Sequence, residues 1–179
     1  PYQFEWGKRT AWSENQMRLA RVQVLLGKEV TPDTLDAILE EQGPDEVVVA
    51  TGSRSTRDGC NSFLDGPIKG SDNGNVYTYE DALYGRVPDD GKIIILDDFS
   101  NELAPGLALL LAPKAKEVQI LTRWSTLVTE PYSTVNRHGH MERLYRHENI
   151  NVAPHTFIKE INGNSVTLMN TYTMDEREE

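Results

Sequence analysis

The stretch that decides the fold is KIIILDDFSNELAPGLALLLA, Lys92 to Ala112. An apolar run, a polar break and a second apolar run predict a strand over 93–96, a turn, and a helix over about 105–111. A second strand is predicted over 118–121. Strand, helix and strand within about 30 residues indicate a right-handed parallel unit, as in a nucleotide-binding fold.

The turn inside this stretch carries acidic residues where a dinucleotide-binding turn carries glycines. Glycines permit a tight bend and let the backbone approach the pyrophosphate. Asp97, Phe99 and either Glu102 or Ala104 stand at the three glycine positions. One like-charge contact at about 4 Å costs about 4 kcal/mol at an effective dielectric of about 20, whereas a helix N-terminus contributes about 0.3–1 kcal/mol. The residues therefore predict a nucleotide-type scaffold whose turn excludes a diphosphate.

The end of the second strand supports the same prediction. An NAD site has Asp or Glu at this point for the ribose hydroxyls, and the chain has Thr122 there. The next residue, Arg123, would suit the 2′-phosphate of NADP, but without a pyrophosphate site that contact cannot hold the cofactor. Nicotinamide binding at this turn is therefore disfavoured.

Further elements are predicted nearer the beginning of the chain. VQVLL at 22–26 and EVVVATGS at 46–53 are apolar runs typical of buried parallel strands. Between them, Thr31-Pro32 predicts a helix start and Gly43 its end. Ser13, followed three residues later by Gln16, has the spacing of a capping box and predicts another helix start.

The rest of the chain completes the predicted fold class. Glycines and prolines over 54–91 indicate a long irregular connection with one short helix near 79–83. A helix is predicted over about 135–146. The extended runs 150–161 and 165–170 flank Asn162-Gly163, which is a hairpin signal. The prediction is an α/β, Rossmann-like nucleotide-binding fold with three layers, a mainly parallel sheet and an appended β-hairpin.

Composition excludes several classes of function. A formal net charge of −10 disfavours a nucleic-acid partner, which needs clustered Lys and Arg. No apolar run approaches the roughly 20 residues of a membrane span, and the first residues do not resemble a secretory signal. With Cys60 as the single cysteine, an internal disulfide and a self-contained four-cysteine cluster are excluded, which favours a reducing, cytoplasmic compartment. The first residue, Pro1, and the charged end DEREE suggest a fragment of a larger protein.

Candidate catalytic and metal-binding residues are few. His138 and His140 lie two positions apart, do not share a helix face and lack a third ligand at a suitable spacing, so we interpret them as solvated. Cys60 has Arg57 nearby but no accompanying His and acid. The sequence therefore predicts no catalytic residue and no metal ligand. ATG at 50–52 follows an apolar run, where small residues let a cofactor or a crossing chain approach closely.

Four segments together resemble one family of flavoproteins. They are LLGKEVTPDTL, DEVVVATGSRSTRDGCNSFLDGPIKGSD, KIIILDDFSNELAPGLALLLA and EVQILTR. These segments look like the central part of the trimethylamine dehydrogenase family, which includes the dimethylamine and histamine dehydrogenases and other fused relatives of Old Yellow Enzyme. The resemblance covers nearly the whole chain, and its most specific parts are ATG followed seven residues after its glycine by Gly59, DGPIKG, and the glycine-poor turn before Ala104-Pro105.

The resemblance implies a parent enzyme with an N-terminal barrel that holds FMN and a [4Fe–4S] cluster. Two nucleotide-binding-like domains follow, of which one binds ADP or FAD and the other resembles an NAD domain without its ligand. Amine oxidation at FMN would send electrons through the cluster to an electron-transferring flavoprotein. The barrel domain of the same polypeptide would be the partner of this chain. The resemblance does not decide whether the parent enzyme forms an oligomer.

The resemblance also implies a domain plan and a small set of site residues. Residues 1–58 would belong to the FAD- or ADP-binding-like domain, 59–90 to a crossover loop, and 91–179 to a degenerate NAD-binding-like domain. The cofactor-facing positions would be Glu29, Val30, Ala50, Thr51 and Gly52. Two alternatives stay open: an NAD(P)H-binding domain of a dienoyl-CoA-reductase-like enzyme, and a stand-alone module that docks an electron carrier.

Overall fold

The computed structural model describes residues 5–61, 63–129 and 134–179. The chain divides into two compact units, Pro1–Thr51 and Gly52–Glu179. The division predicted from sequence, into 1–58, 59–90 and 91–179, stays a prediction. No helix among the described residues combines the length and the apolar character that crossing a membrane requires.

The first unit contains two helices, α1 (Glu5–Leu19) and α2 (Pro32–Gln42). The limits of α2 follow the predicted signals. Thr31 is the N-cap, its N–H donates to Thr34 Oγ1 at 2.9 Å, and Gly43 ends the helix in the left-handed conformation with φ 57°. The predicted helix start at Ser13 is wrong, because α1 begins at least eight residues earlier and continues through it. A serine and a glutamine at capping-box spacing do not end a preceding helix when the backbone can keep its i to i−4 bonds.

The two strands predicted in the first unit are not formed. Residues 22–26 and 46–53 are irregular, and no strand is present in the described residues 5–51. Their apolar side chains face solvent; Leu26 is 89% exposed and Val48 is 87% exposed. An extended segment becomes a strand only when a neighbour satisfies its backbone N–H and C=O groups. These predictions are wrong because the described residues of this unit supply no such neighbour.

The second unit is built on a parallel sheet with strand order β1-β2-β3. Strand β1 (Lys92–Asp97) leads into α4 (Leu103–Leu111) and then into β2 (Glu117–Thr122). After a 3₁₀ turn (Thr134–Asn136), α5 (Arg137–Tyr145) leads into β3 (Ile150–Ala153). Ile95 lies opposite Ile120, and Ile120 lies opposite Val152, so the strands are in parallel register. The predicted strand–helix–strand unit is confirmed.

Each face of the parallel sheet packs against a different layer. Because side chains alternate along a strand, Ile95 and Ile120 face one layer while Leu96 and Leu121 face the other. The first face packs under α4 and α5, with the buried side chains Leu107, Ala108, Leu111 and Leu144. The second face packs against Phe157, Ile158 and Leu168.

The layer on the second face is an antiparallel sheet of β4 (Thr156–Asn162), β5 (Ser165–Asn170) and β6 (Glu176–Glu178). The predicted hairpin is confirmed, with Gly163 at φ 63° in its two-residue turn. The predicted extended run 150–161 is instead broken. Pro154 lacks an N–H and His155 takes a left-handed φ of 53°, so the run supplies β3 to one sheet and β4 to the other. Helices, parallel sheet and antiparallel sheet make the three predicted layers.

The connection before the parallel sheet is held by a buried aspartate. The short helix predicted near 79–83 is present as α3 (Tyr79–Leu83), and Asp81 lies in its first turn. Its carboxylate accepts hydrogen bonds from Arg57 Nη2 at 2.8 Å, Arg86 Nη1 at 3.0 Å and the N–H of Thr78 at 3.1 Å. The N–H of Thr78, followed by Arg86, lowers the pKa of Asp81 to about 2. One carboxylate therefore ties residues on both sides of α3.

Candidate functional site

The candidate site is the carboxyl edge of the parallel sheet, where an α/β fold of this type places its ligand. The turn from Asp97 to Glu102 joins β1 to α4 at this edge. Phe99 points into solvent with 75% of its surface exposed. Ser100, which follows it, is buried and takes a left-handed φ of 53°. The bend is therefore tight even though it contains no glycine.

Asp97 fills the inside of the bend. Its side chain is 4% exposed, and its Oδ1 accepts the N–H of Ser100 at 2.9 Å. Its Oδ2 is buried and has no hydrogen-bond partner among the described residues. Burial raises the pKa of Asp97, while the hydrogen bond from Ser100 opposes that rise. A backbone N–H that a phosphate would need is thus already bound to a carboxylate of the chain itself.

The donors around Ser100 and the first residue of α4 are also satisfied internally. Ser100 Oγ accepts hydrogen bonds from the N–H of Thr129 at 3.1 Å and from Thr129 Oγ1 at 2.8 Å. The N–H of Leu103 donates to Asn101 Oδ1 at 2.9 Å. Sequence reasoning missed Ser100 and Asn101. The Asp97–Ser100 spacing of three residues was the available signal, because short polar side chains commonly bind a backbone N–H two or three residues ahead.

Asp98, Arg123 and Trp124 form a second group at the same edge. Arg123 Nε lies 3.0 Å from Asp98 Oδ1, and its guanidinium carbon lies 4.7 Å from the centre of the Trp124 ring. Trp124 Nε1 donates to the carbonyl oxygen of Asp98 at 3.3 Å. Arg123, which could have met a 2′-phosphate, is therefore paired with the turn's own acid.

On the helix side of the turn, the structure differs from the prediction made for His140. His140 lies on α5 and is 7% exposed, so the interpretation of this histidine as solvated is wrong. Burial lowers the pKa of His140, and the negative charge of Glu102 opposes that shift. Glu102 itself accepts a hydrogen bond from Asn136 Nδ2 at 2.8 Å. Among the described residues, no group of three His, Cys, Asp or Glu side chains is arranged to hold a metal ion.

The residues predicted to face an adenine or a flavin are all exposed. Glu29 and Val30 precede α2, and the carbonyl oxygen of Glu29 accepts a hydrogen bond from Thr34 Oγ1 at 3.5 Å. Ala50 and Thr51 are irregular, and within their unit no described hydrogen bond joins them to Glu29 or Val30. Gly52 takes φ 73°, a conformation that favours glycine. Their cofactor-binding role stays a prediction.

Asp97 provides a direct test of the turn through pH. A group whose pKa is raised on folding disfavours its charged form, so its ionisation lowers the free energy of unfolding above the ordinary carboxyl pKa of 3.8. Asp97→Asn cannot ionise. We expect this variant to gain stability relative to the wild type as the pH rises from about 4 to about 7. Urea unfolding across this range measures the difference.

Asp98→Asn is the matched control, because it removes the same charge from the neighbouring position, where the half-buried carboxylate lies 3.0 Å from Arg123 Nε. A stability difference between Asp97→Asn and the wild type that does not change with pH would contradict the assignment of a buried, destabilising charge to Asp97.

No protein-family model matches the chain. Solved structures do. A 6-hydroxypseudooxynicotine amine oxidase from Pseudomonas geniculata N1 is 26% identical over 97% of the chain, with a TM-score of 0.86. A 2-naphthoyl-CoA reductase in complex with 2-naphthoyl-CoA is 23% identical over 99% of the chain, with a TM-score of 0.75. Histamine dehydrogenase from Rhizobium sp. 4-9 is 19% identical over 73% of the chain, with a TM-score of 0.66.

These matches confirm the resemblance to the trimethylamine dehydrogenase family that the four segments indicated. The chain spans 25%, 24% and 20% of those three chains respectively, so the similarity covers about a quarter or less of each protein.

Proposed function

We propose that this chain is a non-catalytic, nucleotide-type part of a larger flavin and iron–sulfur oxidoreductase that resembles trimethylamine dehydrogenase. In such an enzyme it contributes architecture, while oxidative amine demethylation takes place elsewhere and electrons leave to an electron-transferring flavoprotein. The 26% identity with an amine oxidase over 97% of the chain supports an oxidoreductase context. The proposed non-catalytic role of this domain is argued from the residues of this chain.

One observation carries the non-catalytic assignment: Asp97 Oδ1 accepts the N–H of Ser100 at 2.9 Å. A diphosphate at this bend would have to displace a carboxylate that is 4% exposed, and it would meet Asp98 and Glu102 nearby. Arg123, which follows the end of the neighbouring strand, already lies 3.0 Å from Asp98. Charge and geometry together oppose a phosphate at this turn.

The parent's cofactors do not fit this chain by itself. A [4Fe–4S] cluster takes four cysteine thiolates, and Cys60 is the single cysteine. FMN would belong to the barrel. The ADP or FAD site would use the predicted set Glu29, Val30, Ala50, Thr51 and Gly52 only in company with a glycine-rich turn from another part of the polypeptide. No step of the parent's chemistry is therefore assigned to a residue of this chain.

The exposed apolar segments of the first unit support a partner for this chain. Residues 22–26 and 46–49 have strand-type composition but remain outside any sheet. Buried parallel strands are near-continuous apolar runs of this kind. We propose that the remainder of the parent polypeptide, including its barrel, supplies the strands and helices that cover them.

Calorimetric titration tests the assignment. We expect NADH and NADPH to give heats that equal those of dilution into buffer, and ADP and FAD to bind weakly, since the chain lacks a glycine-rich phosphate turn. Saturable binding of NADH or NADPH at micromolar concentration, lost in Arg123→Ala, would support the dienoyl-CoA-reductase-like alternative and overturn the proposal.

A second candidate function is docking of an electron carrier at the same edge. Phe99 is exposed, Trp124 is partly exposed, and the Trp124 ring is held by Arg123 and by its hydrogen bond to Asp98. Trp and Arg are enriched among the residues that contribute most to binding at protein interfaces. The same calorimetric titration, carried out with an electron-transferring flavoprotein, measures this binding. Saturable binding that Phe99→Ser weakens, and that Tyr84→Ser at the C-cap of α3 does not, would favour this function.

A further inference from the structure

Both ends of the segment 57–78, which precedes α3, meet at one buried carboxylate oxygen. At the start of the segment, Arg57 Nη2 donates to Asp81 Oδ2 at 2.8 Å. At its end, the N–H and the Oγ1 of Thr78 donate to the same oxygen, each at 3.1 Å. Asp81 itself is 3% exposed. These hydrogen bonds, which we call the end contact, close 57–78 into a loop that we call the strap.

The middle of the strap lies along the edge of β4 that does not face β5. Lys69 forms a parallel bridge with Glu160, and the N–H of Ile161 donates to the carbonyl oxygen of Lys69 at 2.9 Å. Gly70 takes φ 79°, and a side chain there would come within 2.0 Å of the Ile161 carbonyl oxygen. Only glycine therefore allows the strap to approach β4 this closely. We call this the middle contact.

The strap also contributes side chains to the apolar cluster on the second face of the parallel sheet. Ile68 is 4% exposed and belongs to the same cluster as Phe157. The centre of the Phe63 ring lies 5.1 Å from that of Phe157. In contrast, α3 packs in the cluster on the first face, through Ala82. The ends of the strap therefore lie in the helix layer, whereas its middle lies in the antiparallel layer.

We propose that the strap opens and closes as one unit, held at its ends by Asp81 and at its middle by Ile161. Its described residues form no helix and no strand longer than a single bridge, so neither part of the strap has regular structure of its own to hold it once the other is released. Segments with few such bonds open locally before a whole domain unfolds. An open strap uncovers the edge of β4 and the ring of Phe157, so closure completes the antiparallel layer.

Arg57 and Arg86 form a matched pair for testing the end contact, because both guanidinium groups donate to Asp81. Arg57 begins the strap and binds Oδ2, whereas Arg86 lies beyond α3 and binds Oδ1. Both side chains are more than half exposed. If these arginines only held Asp81 in place, their substitutions would have the same effect on the rest of the molecule. In the proposal, Arg57 alone controls the distant contact at Ile161.

Amide hydrogen exchange of the whole chain, measured by NMR spectroscopy, tests the proposal. In Arg57→Gln we expect the Ile161 amide to exchange about tenfold faster than in the wild type, because losing a hydrogen bond between charged groups shifts an opening equilibrium by about that factor. Arg86→Gln should leave this rate close to the wild-type value, and the Ile120 amide in β2 should be unchanged in both variants. Unchanged exchange at Ile161 in Arg57→Gln, equal acceleration by both substitutions, or equal acceleration at Ile120 would overturn the proposal.

Gly70→Ala tests the two contacts in the opposite direction. Its methyl group meets the Ile161 carbonyl oxygen, so the middle contact should be lost. Exchange of the Thr78 amide, which donates to Asp81, should then become several-fold faster. Gly74→Ala is the control, because it lies in the same strap and has open space for its methyl group. A Gly70→Ala variant with faster exchange at Ile161 and wild-type exchange at Thr78 would show that the contacts open independently, against the proposal.

Discussion

Replacing Ile120 with aspartate is expected to abolish the cooperative unfolding transition of the unit Gly52–Glu179. Ile120 is fully buried in β2, the central strand of the parallel sheet, and lies in the apolar cluster under α4 and α5. An unpaired buried charge costs several kcal/mol, whereas a whole domain is stable by about 5–15 kcal/mol. A thermal melt followed by circular dichroism should show a broad, sloping loss of signal in place of a transition.

Ile120→Val is the matched control for this substitution. It removes one methyl group and no charge, so we expect a loss of about 0.5–1.5 kcal/mol with the cooperative transition retained. An Ile120→Asp variant that melts cooperatively close to the wild-type temperature would show that β2 is not the centre of the core.

Phe157→Ala tests the other face of the sheet. Phe157 on β4 is 0% exposed, and the centre of its ring lies 5.1 Å from that of Phe63. Truncating a buried phenylalanine to alanine costs about 3–5 kcal/mol, because burial is lost and a cavity remains. Urea unfolding should show a lower midpoint with an unchanged slope, since the surface exposed on unfolding stays nearly the same.

Tyr145→Ala provides the comparison at the surface. Tyr145 on α5 is 76% exposed, so its removal should change the free energy of unfolding by no more than about 0.5 kcal/mol. A Phe157→Ala effect as small as that of Tyr145→Ala would mean that the antiparallel sheet does not pack on the parallel sheet as described.

The character of the candidate site was predictable, but its internal contacts were not. The acids at Asp97, Asp98 and Glu102 are visible in the sequence, and their charge alone disfavours a diphosphate. The sequence does not show that Asp97 accepts the N–H of Ser100 while Asp98 pairs with Arg123. Both are aspartates in one turn, and their different environments depend on the left-handed bend and on which neighbours the fold brings near.

The burial of His140, on the helix side of the site, was likewise not predictable from the sequence. Its spacing from His138 correctly disfavours a shared helix face. Its burial depends on how α4 and α5 pack over the sheet, and short polar helices such as α5 carry little apolar periodicity from which to predict a buried face.

By itself the sequence determined the elements that depend on neighbouring residues: the limits of α2, the β1–α4–β2 unit and the hairpin at Gly163. Caps, turns and apolar periodicity depend on residues close together in the chain, so they can be read from the amino-acid sequence. Only the tertiary structure decided which extended runs became strands. Residues 150–153 found β2 as a neighbour and joined the parallel sheet, whereas 22–26 and 46–53 found none and stayed irregular. A strand is completed by backbone groups from a distant part of a chain, and its own residues cannot supply that partner.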